Sequence, residues 1–572
     1  MKRPLAFVLV LAAIAAGVFY TQRARTPGQS ARPHATAQVP PPVDAGALPG
    51  ATLLPGLGTQ HFPVSSTNPE VGRWFDQGMM LTYGFNHDAA ERSFLRAAQL
   101  DPTCAMCWWG AALVLGPHVN AAMDPANNAK AWDRVQRARA QAAHATPRER
   151  AWIEALAARY AADPPQDRKP LDAAYAEAMG RLAAQFPDDL DARVMHAEAL
   201  MDLQPWDYWD AAGQPKGHTA EVVSTLESVM AAAPTHAGAL HLYVHAVEAS
   251  ADPQRGAAAA DRLRALVPGS GHLVHMPAHI YSRVGRWHDA VLANQVAIKA
   301  DADYLAACGK NVQGLYPLGY VPHNFHFLWF AASMEGDEPT ARAAAGQTAQ
   351  RVEASKLLRE EGFSGLQHYW MTPWFERVRF GRWDEIAALP NPAPDLPYPT
   401  AIWHYAEGMA ALRQARLDDA DAHLRELTRL SKDPAIAKVT AWDRYTMEGV
   451  VQVAQATLSA ELAAARGHPG EGLDALRHAA TLEDAIPYDE PPGWHAPVRQ
   501  TLGALLLEAG QPAEAEAVYR EELRRNPDNG WSLFGLAQSL DAQKRGDDAA
   551  RVRERLQAAW QHATVKLASS RM

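Results

Sequence analysis

The sequence predicts an all-α protein, a solenoid of stacked helical hairpins. Beyond residue 60 the apolar residues recur at helical spacing, and strand-like alternation is almost absent. A short turn also recurs, as GRWHDA at 285–290, GDEPTA at 336–341, ARLDDA at 415–420 and GQPAEA at 510–515. A fixed repeat explains that recurrence better than a string of separate domains. Length agrees, because 572 residues, 48% of them hydrophobic, can bury a large core but are too many for one compact domain.

The N-terminus has a different character. Residues 1–25, MKRPLAFVLVLAAIAAGVFYTQRAR, combine a basic start with an apolar run over residues 4–20. This is the pattern of a signal peptide or an N-terminal membrane anchor. The run sits at the low end of the roughly 17–25 residues that span a bilayer, so cleavage and retention both stay open. Either outcome places the body outside the cytoplasm, periplasmic or secreted, with an inner-membrane anchor through residues 4–20 as the tethered form. The membrane is then touched only through this segment. Residues 26–58 are rich in Pro, Ala, Gly and Gln and are expected to form a disordered tether. The solenoid is expected over 59–565.

Charge excludes one class of partner. The formal net charge is −10 and no basic stripe interrupts it, so nucleic acid is not expected as a ligand. Cys104 and Cys107 form a C-x-x-C followed by Trp108, which rules out a c-type haem attachment. In an oxidising compartment a local disulfide is the simpler reading, and a soft-metal site assisted by Met106 the sharper one.

Residues 71–104 show the repeat most clearly. With Val71 as position 1, Trp74 falls at 4, Gly78 at 8, Ala90 at 20, Phe94 at 24, Ala97 at 27 and Pro102 at 32. In residues 496–529, Gly503, Ala515, Tyr519 and Pro527 hold positions 8, 20, 24 and 32. This resembles the tetratricopeptide repeat. Other copies are degenerate, with an insertion at about 304–321 and irregular stretches near 204–218 and 390–400. The resemblance implies roughly a dozen helical hairpins wound into a right-handed superhelix. It also implies that the first helix of each hairpin lines the concave face, with positions 2, 5, 9 and 12 pointing inward. At 100° per residue those positions fall within a wedge of about 80°.

That phase gives meaning to the histidines of GHLVHMPAHIY, residues 271–281. With Ala237 as position 1, His241 is at 5, His245 at 9 and Glu248 at 12. With Gly271 as position 1, His272, His275 and His279 are at 2, 5 and 9; with Pro322 as position 1, His323 and His326 are at 2 and 5. His368 again occupies position 2, whereas His236 and His288 lie outside the wedge. Singly, each inward histidine is most simply a hydrogen-bonded or solvated residue. Together, over about 238–330, they form i,i+3 and i,i+4 pairs on neighbouring inner helices, and such pairs can share an ion.

Imidazoles with one carboxylate suit copper, iron or zinc and do not suit magnesium or calcium. Seven imidazoles exceed the needs of one structural ion, which leaves room for a dinuclear centre. His241, His245, His275, His279 and His326 are expected as ligands, with His272 and His323 as further ligands. Glu248, His272 and Tyr281 are the candidates for acid–base or orienting work, and Tyr304, Tyr316 and Tyr320 could also reach the lining. No H-E-x-x-H, G-x-S-x-G or Walker A loop competes. The function expected is metal-dependent chemistry, oxidative ahead of hydrolytic, on a small molecule or an extended peptide in the groove. The alternative is a non-catalytic scaffold that binds a partner protein.

Overall fold

The computed structural model describes residues 51–309, 312, 314–360, 362–442 and 444–572. The leader expected over 1–25 and the tether up to residue 50 lie outside them. Among the described residues no helix is long and apolar enough to cross a membrane.

Antiparallel helix pairs follow one another from Pro69–Tyr83 and His87–Leu100 to Gly530–Ala542 and Gly546–Ala559. The predicted all-α solenoid is the fold observed. Strand is confined, among the described residues, to a two-residue ribbon, Thr440–Ala441 against Tyr445–Thr446. Local chemistry starts many of the helices. Asn68, Asn86, Asp189 and Asn529 each accept a backbone N–H of the first turn through the side chain, and Thr146 with Glu149 forms a capping box.

The small and large positions of the repeat interlock as the pattern requires. The Phe94 ring fills the space over Gly78 and Gly110, where added Cβ atoms would lie 2.6 and 2.4 Å from it. Tyr519 does the same over Gly503 and Gly535. Phe94 and Tyr519 are both fully buried, so each ring closes one hairpin onto the next. Cys104, the N-cap of the helix Ala105–Leu113, is joined in a disulfide to Cys107 in its first turn, as expected, and Cys308 is buried and free.

The solenoid closes on itself. Trp287 Nε1 donates to the Pro527 carbonyl and Trp531 Nε1 to the Ser333 carbonyl, both at 2.9 Å, which ties late repeats to the middle of the chain. At the other end the Gly269 amide donates to Gly56 O at 2.8 Å, and Tyr83 packs against Gly238. Residues 52–57, expected as the end of a disordered tether, are therefore part of the folded body. Leu54 N and Thr52 O bond to the Gln77 amide, and Leu57 is buried, so local polarity there is overridden by docking.

Candidate metal centre

Three inner segments carry the site. The helix Ala237–Val247 supplies His241 and His245, with Glu248 at its C-terminal end. Gly271–His275 and Pro277–Arg283 supply His272, His275 and His279. Pro277 lacks the amide that a single helix would use, so the segment divides at Met276; Met276 keeps α-region dihedrals, and the helical phase continues across the break. Val321–Glu335 supplies His323. His241, His245, Glu248, His272, His275 and His279 are all at most 3% exposed.

The imidazoles converge as two triads. In one, His275 Nε2 lies 2.7 Å from His279 Nε2 and 3.0 Å from His323 Nε2. In the other, His241 Nε2 lies 3.1 Å from His272 Nε2, and His245 offers a ring nitrogen to the same space. The far sides of these rings are anchored. His275 Nδ1 meets Asn294 Oδ1 at 2.7 Å, and the amide is oriented because its Nδ2 donates to Ala290 O. His279 Nδ1 meets Glu248 Oε2 at 2.6 Å, and His245 Nδ1 meets Glu248 Oε1 at 2.9 Å.

An amide oxygen and a carboxylate can only accept, so these Nδ1 atoms carry the protons. Were both rings neutral, the Nε2 lone pairs of His275 and His279 would face each other, a repulsion that either a proton on one ring or a metal ion between them relieves. Oriented imidazole backed by carboxylate or carbonyl is also how proteins present a metal ligand. Glu248 thus holds one ring of each triad.

Electrostatics favours neutral donors over most of the site. Burial, reinforced by the neighbouring rings, pushes His245 and His323 down to about 3 and His241, His272 and His275 well below the usual imidazole value. His279 differs. Burial acts to lower it, but the Glu490 and Glu248 carboxylates outweigh burial and hold it up at about 10. Glu490 is itself pushed up to about 8 by burial and by Glu248. A cation is therefore favoured here, and a proton on His279 serves that need when no metal does.

Two expected residues stand elsewhere. Tyr281 was expected at the site, but two positions beyond His279 is about 200° around a helix, so its ring faces away. Its hydroxyl donates to Asp261 at 2.8 Å and its face lies under Arg286. His326 was expected as a ligand, yet it joins neither triad. Three residues past His323, it is turned toward the next hairpin, 4.4 Å from the Tyr369 ring and 5.5 Å from that of His368. His368 bonds to the Tyr398 hydroxyl. Of the insertion tyrosines, Tyr320 lies 4.7 Å from His272 and lines the site, Tyr316 accepts from the His272 amide, and Tyr304 bonds to Asn86.

Sequence reasoning missed Glu490, Asn294, Asp301 and Phe85. Glu490 forms an ion pair with His279 from the loop after Pro469–Ala485, a contact that only closure of the superhelix creates. Asp301 accepts from the Tyr316 hydroxyl at 2.8 Å, and so supports the group that receives the His272 N–H. Phe85, in the left-handed region at φ 54°, sets its ring 4.6 Å from His241 and 5.3 Å from His272. Trp206, also left-handed at φ 65°, reaches His245 at 5.4 Å. Two bulky residues in that costly conformation against one triad mark a place where local strain is held by its surroundings.

The triads open into a chamber of about 380 Å³, walled by Trp206, Tyr320, Tyr369, Trp442 and Arg444. A larger cleft of about 770 Å³ lies near Gln60 and Asp189. Its polar groups are paired with one another, Arg148 with Asp189 and His236 with Asp191, so it offers less chemistry.

Residues 506–564 match the family model of the tetratricopeptide repeat. The chain carries tetratricopeptide repeats. No curated protein matches it in sequence. Similar solved structures include the APC/C hetero-tetramer Cut9–Hcn1, at 13% identity over 86% of this chain and 77% of that one, with a TM-score of 0.31. Yeast Tom70 aligns at 10% identity over 87% of this chain and 93% of its own, with a TM-score of 0.31. Human IFIT1, in a dimer with m7Gppp-AAAA, aligns at 10% identity over 86% and 91%, with a TM-score of 0.29. The matched repeats are the regular C-terminal ones. The triads stand on the helices between residues 237 and 335, outside the matched segment.

Proposed function

We propose that this tetratricopeptide-repeat chain is an exported transition-metal enzyme acting on a small molecule, by oxidative chemistry in preference to hydrolysis. The observation that carries the reading is the pair of facing Nε2 atoms of His275 and His279, with both Nδ1 protons committed to Asn294 and Glu248. His241, His245 and His272 would hold one ion and His275, His279 and His323 another. Imidazole donors select copper, iron or zinc, and a bound ion would supply Lewis-acid or redox chemistry. Glu248 keeps one ring of each set in the tautomer that a ligand needs. Phe85 and Trp206 pack against the rings of the first set. Tyr320 and Glu490 line the chamber where a substrate proton would be given or taken. The chamber's volume falls in the range typical of small-molecule sites, whereas an extended peptide would need a longer open groove. The basic-then-apolar start of the chain supports export to the periplasm or beyond, cleaved or anchored.

A second reading, a scaffold that docks a partner protein, is favoured by the regular repeats at 506–564. Metal analysis separates the two. After reconstitution with copper, zinc or iron, the wild-type chain and a variant at exposed His478 (His478→Ala) should hold metal and show a raised Tm. His275→Ala should lose the ion of its own triad and the part of the thermal gain that ion supplies. A chain that takes up none of the three metals, with no thermal shift, would sink the metal reading and leave the scaffold.

A further inference from the structure

We propose that His288, Glu335 and His562 form a second, structural transition-metal site on the outer surface, which fastens the C-terminal tail to the middle of the solenoid. It is independent of the groove reading. The three residues come from distant parts of the chain: the first turn of Trp287–Cys308, the last residue of Val321–Glu335, and the turn after Gly546–Ala559. One ligand atom from each lies within 4.8 Å of the others. His288 Nδ1 is 2.7 Å from Glu335 Oε1, and the His562 ring stacks on His288 at 3.6 Å with planes 5° apart.

The Glu335 carboxylate is the telling member. Its side chain is 2% exposed, and its ion pair is with His288, not with a lysine or arginine. A buried carboxylate with no lysine or arginine beside it is costly, and a bound ion would supply the missing positive charge. Two imidazoles and one carboxylate are a familiar zinc donor set, completed by water where the site opens to solvent. His562 is exposed, so its ring has room to turn edge-on to an ion.

The place of the site gives its role. Beside it, Thr564 N donates to Gly336 O at 2.9 Å and Glu338 N to Thr564 Oγ1 at 3.1 Å. Trp560 packs over Gly336 and Gly530, where no Cβ would fit. Further along, Ser570 Oγ donates to Gln500 O at 2.7 Å and Arg571 pairs with Glu461. The tail is laid back over the repeats, and the site stands at its root. An ion bound there would hold the docked tail and not the released one.

The test uses the full chain, stripped by chelator and then titrated with zinc. Wild type should bind one ion more per chain than either His562→Ala or Glu335→Gln. That ion should slow amide exchange over residues 560–572 by at least about tenfold. His562 is exposed, so its variant should fold, as far-UV circular dichroism would verify. His275→Ala should leave tail protection intact, so failure of the groove reading would not touch this one. Equal zinc uptake by wild type and both variants, or tail exchange indifferent to zinc, would overturn it.

Discussion

Glu248 accepts the Nδ1 proton of His279 at 2.6 Å, and its other oxygen takes that of His245 at 2.9 Å. One fully buried carboxylate therefore fixes an imidazole in each triad. Glutamine is the informative replacement, because its shape fits but its amide nitrogen cannot accept. One of the two rings must then change tautomer or turn. Glu248→Gln should weaken metal affinity by about 10–100-fold while the ligands stay in place. Competition with a chelator of known affinity reads this directly; unchanged affinity would show that Glu248 does not orient the ligands.

Asp301 offers a pH test. Burial pushes its carboxyl up to about 7 from an ordinary 3.8, against hydrogen bonds from Tyr316 and Asn324 that favour the ionised form. Between those two values the native state holds a proton that the unfolded chain has released. Its contribution is thus fully present below about pH 4 and is lost as pH rises to about 7. Asparagine does not titrate. The advantage of wild type over Asp301→Asn should therefore shrink across this window by up to about 4 kcal/mol. Denaturant unfolding of the metal-free proteins at a series of pH values gives the difference, and parallel curves would refute the buried neutral acid.

Phe94 tests the interlock between repeats. Its ring has 0% exposure and occupies the space left by Gly78 and Gly110. Phe94→Ala should cost about 3–5 kcal/mol, because the glycines on either side have no side chain to collapse into the gap. Equilibrium unfolding measures it. A loss below about 1 kcal/mol would mean that the hairpins do not depend on this contact.

What the sequence determined by itself is whatever depends on near neighbours along the chain. Helical spacing, the recurring turns and the Gly78–Phe94 and Gly503–Tyr519 pairs specify stacked hairpins, since each is a property of a few dozen consecutive residues. The same phase put His241, His245 and Glu248 on one face, and His272, His275 and His279 on the next, because i,i+3 and i,i+4 neighbours share a helix side. Tertiary structure decided everything that crosses the superhelix. The partition into two triads depends on how closely adjacent inner helices approach. The turn of Val321–Glu335 selects His323 and sends His326 to Tyr369 and His368. Tyr281 belongs to the outward side of the helix that carries His279. Glu490 reaches His279, and His562 reaches His288, only because late repeats close back on the middle of the chain. Such closure accumulates from small rotations between successive hairpins, and no local pattern of residues records their sum.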